Sequence, residues 1–220
     1  MANVPFDQLE GHIWMNGEMV PWADAKVHVL THGLHYASAV FEGERAYGGE
    51  IFKMTEHNQR LHDSAEILGF EIPYSVQEID DACVALLSKQ GFQDAYVRPI
   101  AWRGSEMMAV SAQHNKIHTA IAVWPWPAMF GPDSMKGIRL DIAEWRRPAP
   151  DTAPFRAKAA GLYMICTMAN AMAAATPPIH RSSTTMRGIC QRRTRSAASS
   201  RTPSAYPCAR TPRTRWASAR

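Results

Sequence analysis

Residues 12–22, His-Ile-Trp-Met-Asn-Gly-Glu-Met-Val-Pro-Trp, form two short apolar runs around Asn16-Gly17. That dipeptide accepts positive φ, so the pattern predicts a tight hairpin. Val27 to Leu34 is more apolar and leads into Tyr36-Ala-Ser-Ala-Val-Phe-Glu-Gly43, and a second strand pair is predicted around Gly48-Gly49. Thr55 is the candidate N-cap of a helix in which Leu61, Ala65 and Leu68 recur at helical spacing, with Gly69 as its stop. Ser75-Val-Gln-Glu78 spells a capping box that opens a second helix through Leu87, ended by Gly91. Three strand-like stretches follow: Ala95 to Trp102, His118 to Trp126 and Gly137 to Trp145. Strands, two helices, then more strands is the order of an α+β fold rather than a regular βαβ repeat.

Pro125, Pro127 and Pro132, with Gly131, punctuate the chain and predict a connection between domains. The expected organisation is a small N-terminal α/β domain over residues 1–127, then a connector and the opening strands of a larger domain over 128–168. A second proline cluster, Pro148, Pro150 and Pro154, precedes Arg156-Ala-Lys-Ala-Ala-Gly-Leu-Tyr163. From about Met168 the composition changes. Residues 169–220 contain no Asp, Glu, Lys, Leu, Val or Phe and consist mainly of Ala, Arg, Ser, Thr and Pro. Such a stretch cannot bury enough surface to offset the entropy of ordering it, so it is expected to be disordered.

Charge follows the same division. The net charge of +4 over 220 residues is an average of two unlike parts. All 20 acidic residues lie at or before Asp151, with 14 basic residues up to Lys158, so the first 168 residues carry −6 and the tail, with ten arginines, carries +10. Ten arginines can neutralise phosphates, but only Tyr206 and Trp216 interleave them, a pattern that argues against specific nucleic-acid binding. The four cysteines, Cys83, Cys166, Cys190 and Cys208, show no C-x-x-C pair; Cys83 and Cys166 read as buried free thiols. No basic-then-apolar leader or membrane-length apolar run is present, and a reducing cytoplasm is the expected compartment.

Three residues stand out chemically. Lys158 lies among Ala157, Ala159, Ala160 and Gly161, small neighbours that let a bulky group approach its amine, although a lysine beside alanines is ordinarily a surface residue. Arg60 sits beside apolar Leu61 on the first predicted helix; spacing alone favours pairing with Glu56 or Asp63, while a phosphate is the functional alternative. Arg98 interrupts the apolar strand Ala-Tyr-Val-Arg-Pro-Ile-Ala-Trp102 and needs a partner, so it is expected to face a cleft that receives an anion. The pairs His32/His35 and His57/His62 lack metal-ligand spacing and a third ligand, and no metal is expected. No G-x-S-x-G, P-loop or G-x-G-x-x-G occurs.

Several segments together resemble the branched-chain amino acid aminotransferases, fold-type-IV enzymes that use pyridoxal 5'-phosphate. They are Trp14-Met-Asn-Gly-Glu18, His32-Gly-Leu-His-Tyr36, Val40-Phe-Glu-Gly-Glu-Arg-Ala-Tyr47, His57-Asn-Gln-Arg-Leu-His-Asp-Ser-Ala65, Tyr96-Val-Arg-Pro99 and Ala157-Lys-Ala-Ala-Gly161, in order from about residue 10 to 167. The resemblance implies transamination of leucine, isoleucine and valine with 2-oxoglutarate in a biosynthetic or catabolic setting, and a homodimer whose pockets borrow residues across subunits. It implies Lys158 as the catalytic, cofactor-bearing lysine, Arg60 as the phosphate ligand and Tyr163 beside the cofactor ring oxygen. It further implies Tyr36, Phe41, Tyr96 and Trp126 as the aromatic lining of the substrate pocket, with Arg98 receiving the distal carboxylate of glutamate. D-amino acid aminotransferase and aminodeoxychorismate lyase share the fold type, but Phe41-Glu-Gly-Glu-Arg45 and Val97-Arg-Pro99 are closer to the branched-chain group. Met129-Phe130 stands where many relatives have a pocket tyrosine.

The same resemblance implies further parts that do not appear after Met168: an acidic residue in a Tyr-Val-Ala/Ser-Glu segment for the pyridine nitrogen, a Gly-Asn region and a threonine-bearing phosphate loop. The cofactor domain is therefore expected to be incomplete, and the chain either an impaired enzyme or an inactive truncated product. The tail is expected to be a shifted reading frame: Ile189-Cys190-Gln191-Arg192 can be encoded ATA-TGT-CAG-CGA, which read one base later gives Tyr-Val-Ser and then Glu or Asp.

Overall fold

The computed structural model describes residues 4–126 and 148–168, together with the backbone of 140–142 and 188–190. The hairpin forms where the pattern predicts it. Strand β1 (His12–Met15) pairs with β2 (Glu18–Pro21), and Asn16 (φ 53°) and Gly17 (φ 96°) take the two positive-φ positions of the turn. A four-residue helix, α1 (His32–His35), interrupts the apolar stretch that follows. Next come β3 (Ala39–Phe41), β4 (Glu44–Tyr47) and β5 (Glu50–Ile51), with the β4–β5 turn at Gly48-Gly49. The helices are α2 (Met54–Ile67) and α3 (Val76–Gln90), and two long strands close the order, β6 (Ala95–Arg103) and β7 (Ile117–Pro125).

These strands make one antiparallel sheet in the order β2-β1-β7-β6-β4-β5, with β3 lying beside β4 along the same edge of β6. Pro99 explains that broken edge. In an antiparallel ladder the N–H and C=O of one residue face the same neighbour. The Pro99 carbonyl accepts the Glu42 N–H (2.8 Å), so the N–H that proline lacks would have faced the same place. The partner strand breaks there, at Glu42-Gly43.

Alternation along β6 assigns two faces. Val97 and Ala101 face the helices. Around them Ile79, Cys83 and Leu86 of α3 meet Trp14, Ile121 and Val123, while Leu61 and Ala65 of α2 meet Val40. Ile100 and Trp102 face the other side with Ile13, Met15 and Ala120. That side carries an apolar groove of about 360 Å³ bordered by Val27, Leu34, Ile100, Trp102 and Arg98.

Helix α3 begins as predicted: Ser75 accepts from the Glu78 N–H, Glu78 accepts from the Ser75 N–H, and Gly91 (φ 71°) ends it. It runs to Gln90, three residues beyond the predicted Leu87. The expected cap of α2 is corrected. Helix α2 starts after Lys53 in the left-handed conformation, and the Thr55 hydroxyl donates instead to Asp80 of α3 (2.6 Å). A tertiary bond outcompetes the local one.

Residues 148–168 return to the sheet. The Phe41 N–H donates to the Lys158 carbonyl (3.2 Å), the Lys158 N–H donates to Ser64 Oγ of α2 (3.0 Å), and Val40 bridges to Ala159. Of the strand predicted over 137–145, the backbone of Leu140–Ile142 is β8; it pairs in parallel with β9, Gly188–Cys190. Pro127, Pro132, Gly131 and Met129-Phe130 lie outside the described residues. So does the expectation of a disordered tail, apart from those three residues, which are in a strand.

Candidate active site

The site is assembled at the broken edge. Strand alternation sends Tyr96 and Arg98 to the face away from the helices, and Phe41 follows on β3. The Arg98 guanidinium lies 4.7 Å from the Phe41 ring centroid and 5.1 Å from that of Tyr96, and its Nη2 donates to the Tyr96 hydroxyl (3.0 Å). Its Nε is buried without a partner. Arg98 is thus half-buried among aromatics with donor capacity unspent, as the interrupted strand pattern predicts. Trp126 extends the aromatic wall, 5.1 Å from Tyr96, and Trp124 stands 4.9 Å from the same ring.

Lys158 enters from the returning segment. Its Nζ lies 5.3 Å from the Phe41 centroid and 5.6 Å from that of Tyr163, and those two rings meet edge to face at 4.8 Å. Ala157 and Ala159 on either side are buried. At Gly161 even a Cβ would come within 3.0 Å of Ala37, so the small residues let this turn lie flat on the sheet edge.

Arg60 contradicts the partners that spacing suggested. Glu56 pairs with Lys53 and Asp63 accepts from Gln59, while Arg60 grips Glu42. Nε and Nη2 donate to the two Glu42 carboxylate oxygens at 2.6 Å each, a bidentate fork. His57 Nδ1 is 2.9 Å from the same carboxylate. Burial raises the Glu42 carboxyl, but bonds from Arg60 and His57 and the charges of Arg60 and Lys158 outweigh it, and the net shift is downward. The Arg60 guanidinium, held by Glu42 against a smaller effect of burial, is pushed up. Two of its five N–H donors go to Glu42, Nη2 also lies 3.2 Å from His57 Nδ1, and the Nη1 donors have no bond to either; the side chain is 51% exposed.

Arg60 and Lys158 belong to one neighbourhood. The Lys158 backbone is docked on Ser64, four residues along α2 from Arg60, a rise of about 6 Å. Among the expected site residues, Phe41, Tyr96, Arg98, Trp126, Lys158 and Tyr163 form one continuous set of ring and cation contacts, with Arg60 beside it. Tyr36 joins none of these; its ring stacks on His32 at 4.6 Å. Glu42 carries no role in the sequence reading. Its position two residues before Glu44 on an apolar strand is the signal that could have found it, since both carboxylates then face the helices.

Among the described residues no group of three or more His, Cys, Asp or Glu is placed to hold a metal ion, and no helix is long and apolar enough to cross a membrane.

The residues present fit two ends of a phosphorylated aldehyde cofactor: a guanidinium with donors to spare, and an amine between aromatic rings with buried alanines on both sides. Comparison with known proteins agrees. Amino-transferase class IV matches residues 39–178. A probable branched-chain-amino-acid aminotransferase of Rickettsia conorii is 43% identical over 164 residues, covering 74% of this chain and 55% of that protein. The Escherichia coli branched-chain-amino-acid aminotransferase is 43% identical over 159 residues, 70% of this chain and 52% of its own length. Among solved structures, the E. coli enzyme aligns with a TM-score of 0.70 at 39% identity, covering 74% of this chain and 57% of that one. A T.th. branched-chain amino acid aminotransferase solved with pyridoxamine 5'-phosphate aligns at 0.72 and 37% identity, covering 76% and 57%. The chain spans about half the length of the curated relatives it matches.

Proposed function

This chain belongs to the amino-transferase class IV family, with the fold-type-IV architecture of the branched-chain enzymes, and on that premise we propose that it is a pyridoxal-phosphate-dependent branched-chain aminotransferase subunit. Its substrates would be leucine, isoleucine and valine with 2-oxoglutarate. The observation that supports the reading is that Lys158 Nζ lies against the Phe41 and Tyr163 rings with its backbone docked on Ser64, while Arg60, one turn before Ser64 on the same helix, grips Glu42, on which both cations act.

Each residue then has a task. Lys158 Nζ would hold the cofactor and, when free, would move the proton that leaves the substrate Cα. Arg60 holds the phosphate with its remaining donors. Phe41, Tyr96 and Trp126 bury aliphatic side chains and exclude water, and Tyr163 lines the cofactor side. Arg98, with its unspent Nε, receives the distal carboxylate of glutamate, which lets one pocket serve both substrates. Bound pyridoxal phosphate supplies the amine-accepting carbonyl and the electron sink. That sink needs an acidic partner at the pyridine nitrogen, and residues 152–220 hold no Asp or Glu to supply one.

We divide the chain as a small domain over 1–127, a connector and start of the cofactor domain over 128–168, and a tail. Val27 and Leu34, at 47% and 62% exposure on the rim of the apolar groove, support a homodimer. The buried thiol of Cys83 fits a reducing compartment such as the cytoplasm.

Pyridoxal phosphate added to the full chain is expected to give visible absorbance that borohydride reduction fixes on Lys158, located by peptide mass spectrometry. An unchanged spectrum, or label spread over surface lysines, would favour the competing reading of an inactive truncated product.

A further inference from the structure

Glu42 sits where the strand beside β6 is interrupted, and its side chain is fully buried. A carboxylate there is costly unless every oxygen is bonded. It is fully bonded: Arg60 Nε at 2.6 Å on Oε1, and Arg60 Nη2 at 2.6 Å, His57 Nδ1 at 2.9 Å and the Gly43 N–H at 3.3 Å on Oε2. Buried ion pairs seldom stabilise a fold more than apolar residues of the same volume would, so stability alone is a poor reason for this arrangement. Its geometric effect is specific. The fork takes one edge of the Arg60 guanidinium and fixes its plane, the side chain as a whole stays half-exposed, and the charges of Arg60 and Lys158 both act on Glu42.

Resting on the cofactor reading above, we infer that Glu42 is the positioning residue of the phosphate site: it locks Arg60 by Nε and Nη2 so that the remaining N–H groups present one fixed face to a phosphate. A free arginine would have to lose side-chain rotamer entropy on binding; a clamped one has already lost it. Glu42 touches no ligand itself and acts through Arg60. His57 completes the clamp from one helical turn before Arg60.

The test uses the full chain in two arms. In the first, with no cofactor, the chain is labelled with 15N-arginine and the Arg60 Nε–H is assigned by its loss in Arg60→Lys. Its exchange is expected to be at least about tenfold slower than that of exposed Arg156, given the strength of charge-assisted bonds to a buried acceptor, and Glu42→Gln is expected to abolish the protection. An Arg60 Nε–H that exchanges as fast as Arg156 in the wild type overturns the inference even if Glu42→Gln does not fold. In the second arm, pyridoxal phosphate and pyridoxal are titrated against wild type, Glu42→Gln, Arg60→Lys and the double variant. Glu42→Gln should weaken pyridoxal phosphate about tenfold, the loss of one charge-assisted bond, and leave pyridoxal unchanged. The double variant should bind no more weakly than Arg60→Lys. Equal losses for both compounds, or additive losses in the double variant, mean that Glu42 supports the fold only and overturn the inference. If the wild type binds neither compound, the cofactor reading fails, and the exchange arm alone decides whether Glu42 holds Arg60.

Discussion

Glu44 is a carboxyl group set in a hydrocarbon environment. It is 1% exposed, and neither carboxylate oxygen has a hydrogen-bond partner. Burial first, then the nearby charges of Glu42 and Asp80, push its pKa up to about 8 from 4.5. Between those values the folded chain keeps a proton that the unfolded chain has released. Stability therefore falls as pH rises through that window, by ~1.4 kcal/mol per pH unit from this group, is fully retained below about 4.5, and falls no further above about 8. Glu44→Gln removes the ionisation at nearly constant volume. Its stability advantage over wild type, measured by urea unfolding, is expected to grow from pH 4.5 to pH 8; two curves that run parallel across the window would show that Glu44 does not titrate there. Gly43, between the two carboxylates, is fixed by sterics instead. A Cβ there would run into the Tyr96 hydroxyl, which holds Arg98. Gly43→Ala is expected to cost about 1–3 kcal/mol as an overpacking change. It should also alter the near-ultraviolet circular dichroism of the Tyr96–Trp124–Trp126 cluster, and an unchanged aromatic spectrum would refute the displacement.

At the scale of elements, what could be read from the sequence was whatever local chemistry decides. Asn16-Gly17 and Gly48-Gly49 sit at positive φ because few other residues do so cheaply, and the turns formed where they were expected. The Ser75/Glu78 box satisfies two N–H groups reciprocally within four residues, and no distant partner competes. Ser75→Ala is accordingly expected to destabilise the chain by about 1 kcal/mol, read from the urea midpoint, while Thr55→Ala should act through the lost bond to Asp80 and not through a cap. The cap expected of Thr55 and the partners that spacing suggested for Arg60 failed for one reason. Each has an acceptable neighbour in sequence, yet each bonds a residue brought close only by the fold, 25 and 18 positions away. Arg98 was legible because a charge inside an apolar strand is conspicuous whatever it touches. Glu42 was not, because its role depends on Pro99 breaking the opposite edge, a relation between strands that are neighbours only in the folded sheet.

For the whole molecule, two halves of the text obey different rules. Up to about residue 168 apolar residues and charges of both signs are interleaved along the sequence. From 169 to 220 there is no acidic residue and no Leu, Val or Phe, while ten arginines accumulate. Selection for a packed cofactor domain would not leave such a composition, because neither a core nor a charge-balanced surface can be built from it. A coding sequence read out of register would, since Arg, Ala, Ser, Thr and Pro occupy GC-rich codons. Family similarity runs to residue 178, past the change in composition, so a change of register would lie beyond the residues that still match. The gene is therefore expected to contain, one base out of phase beneath Ile189-Cys190-Gln191-Arg192, an open frame reading Tyr-Val-Ser followed by an acidic residue. Nucleotide sequencing across the codons for residues 165–220 checks this. A protein made from the restored frame should then hold pyridoxal phosphate more tightly than the present chain and unfold at a higher temperature, because binding to the native state alone adds to stability. If no uninterrupted alternative frame lies under the tail, its arginines are native to the protein and need a physical explanation of their own.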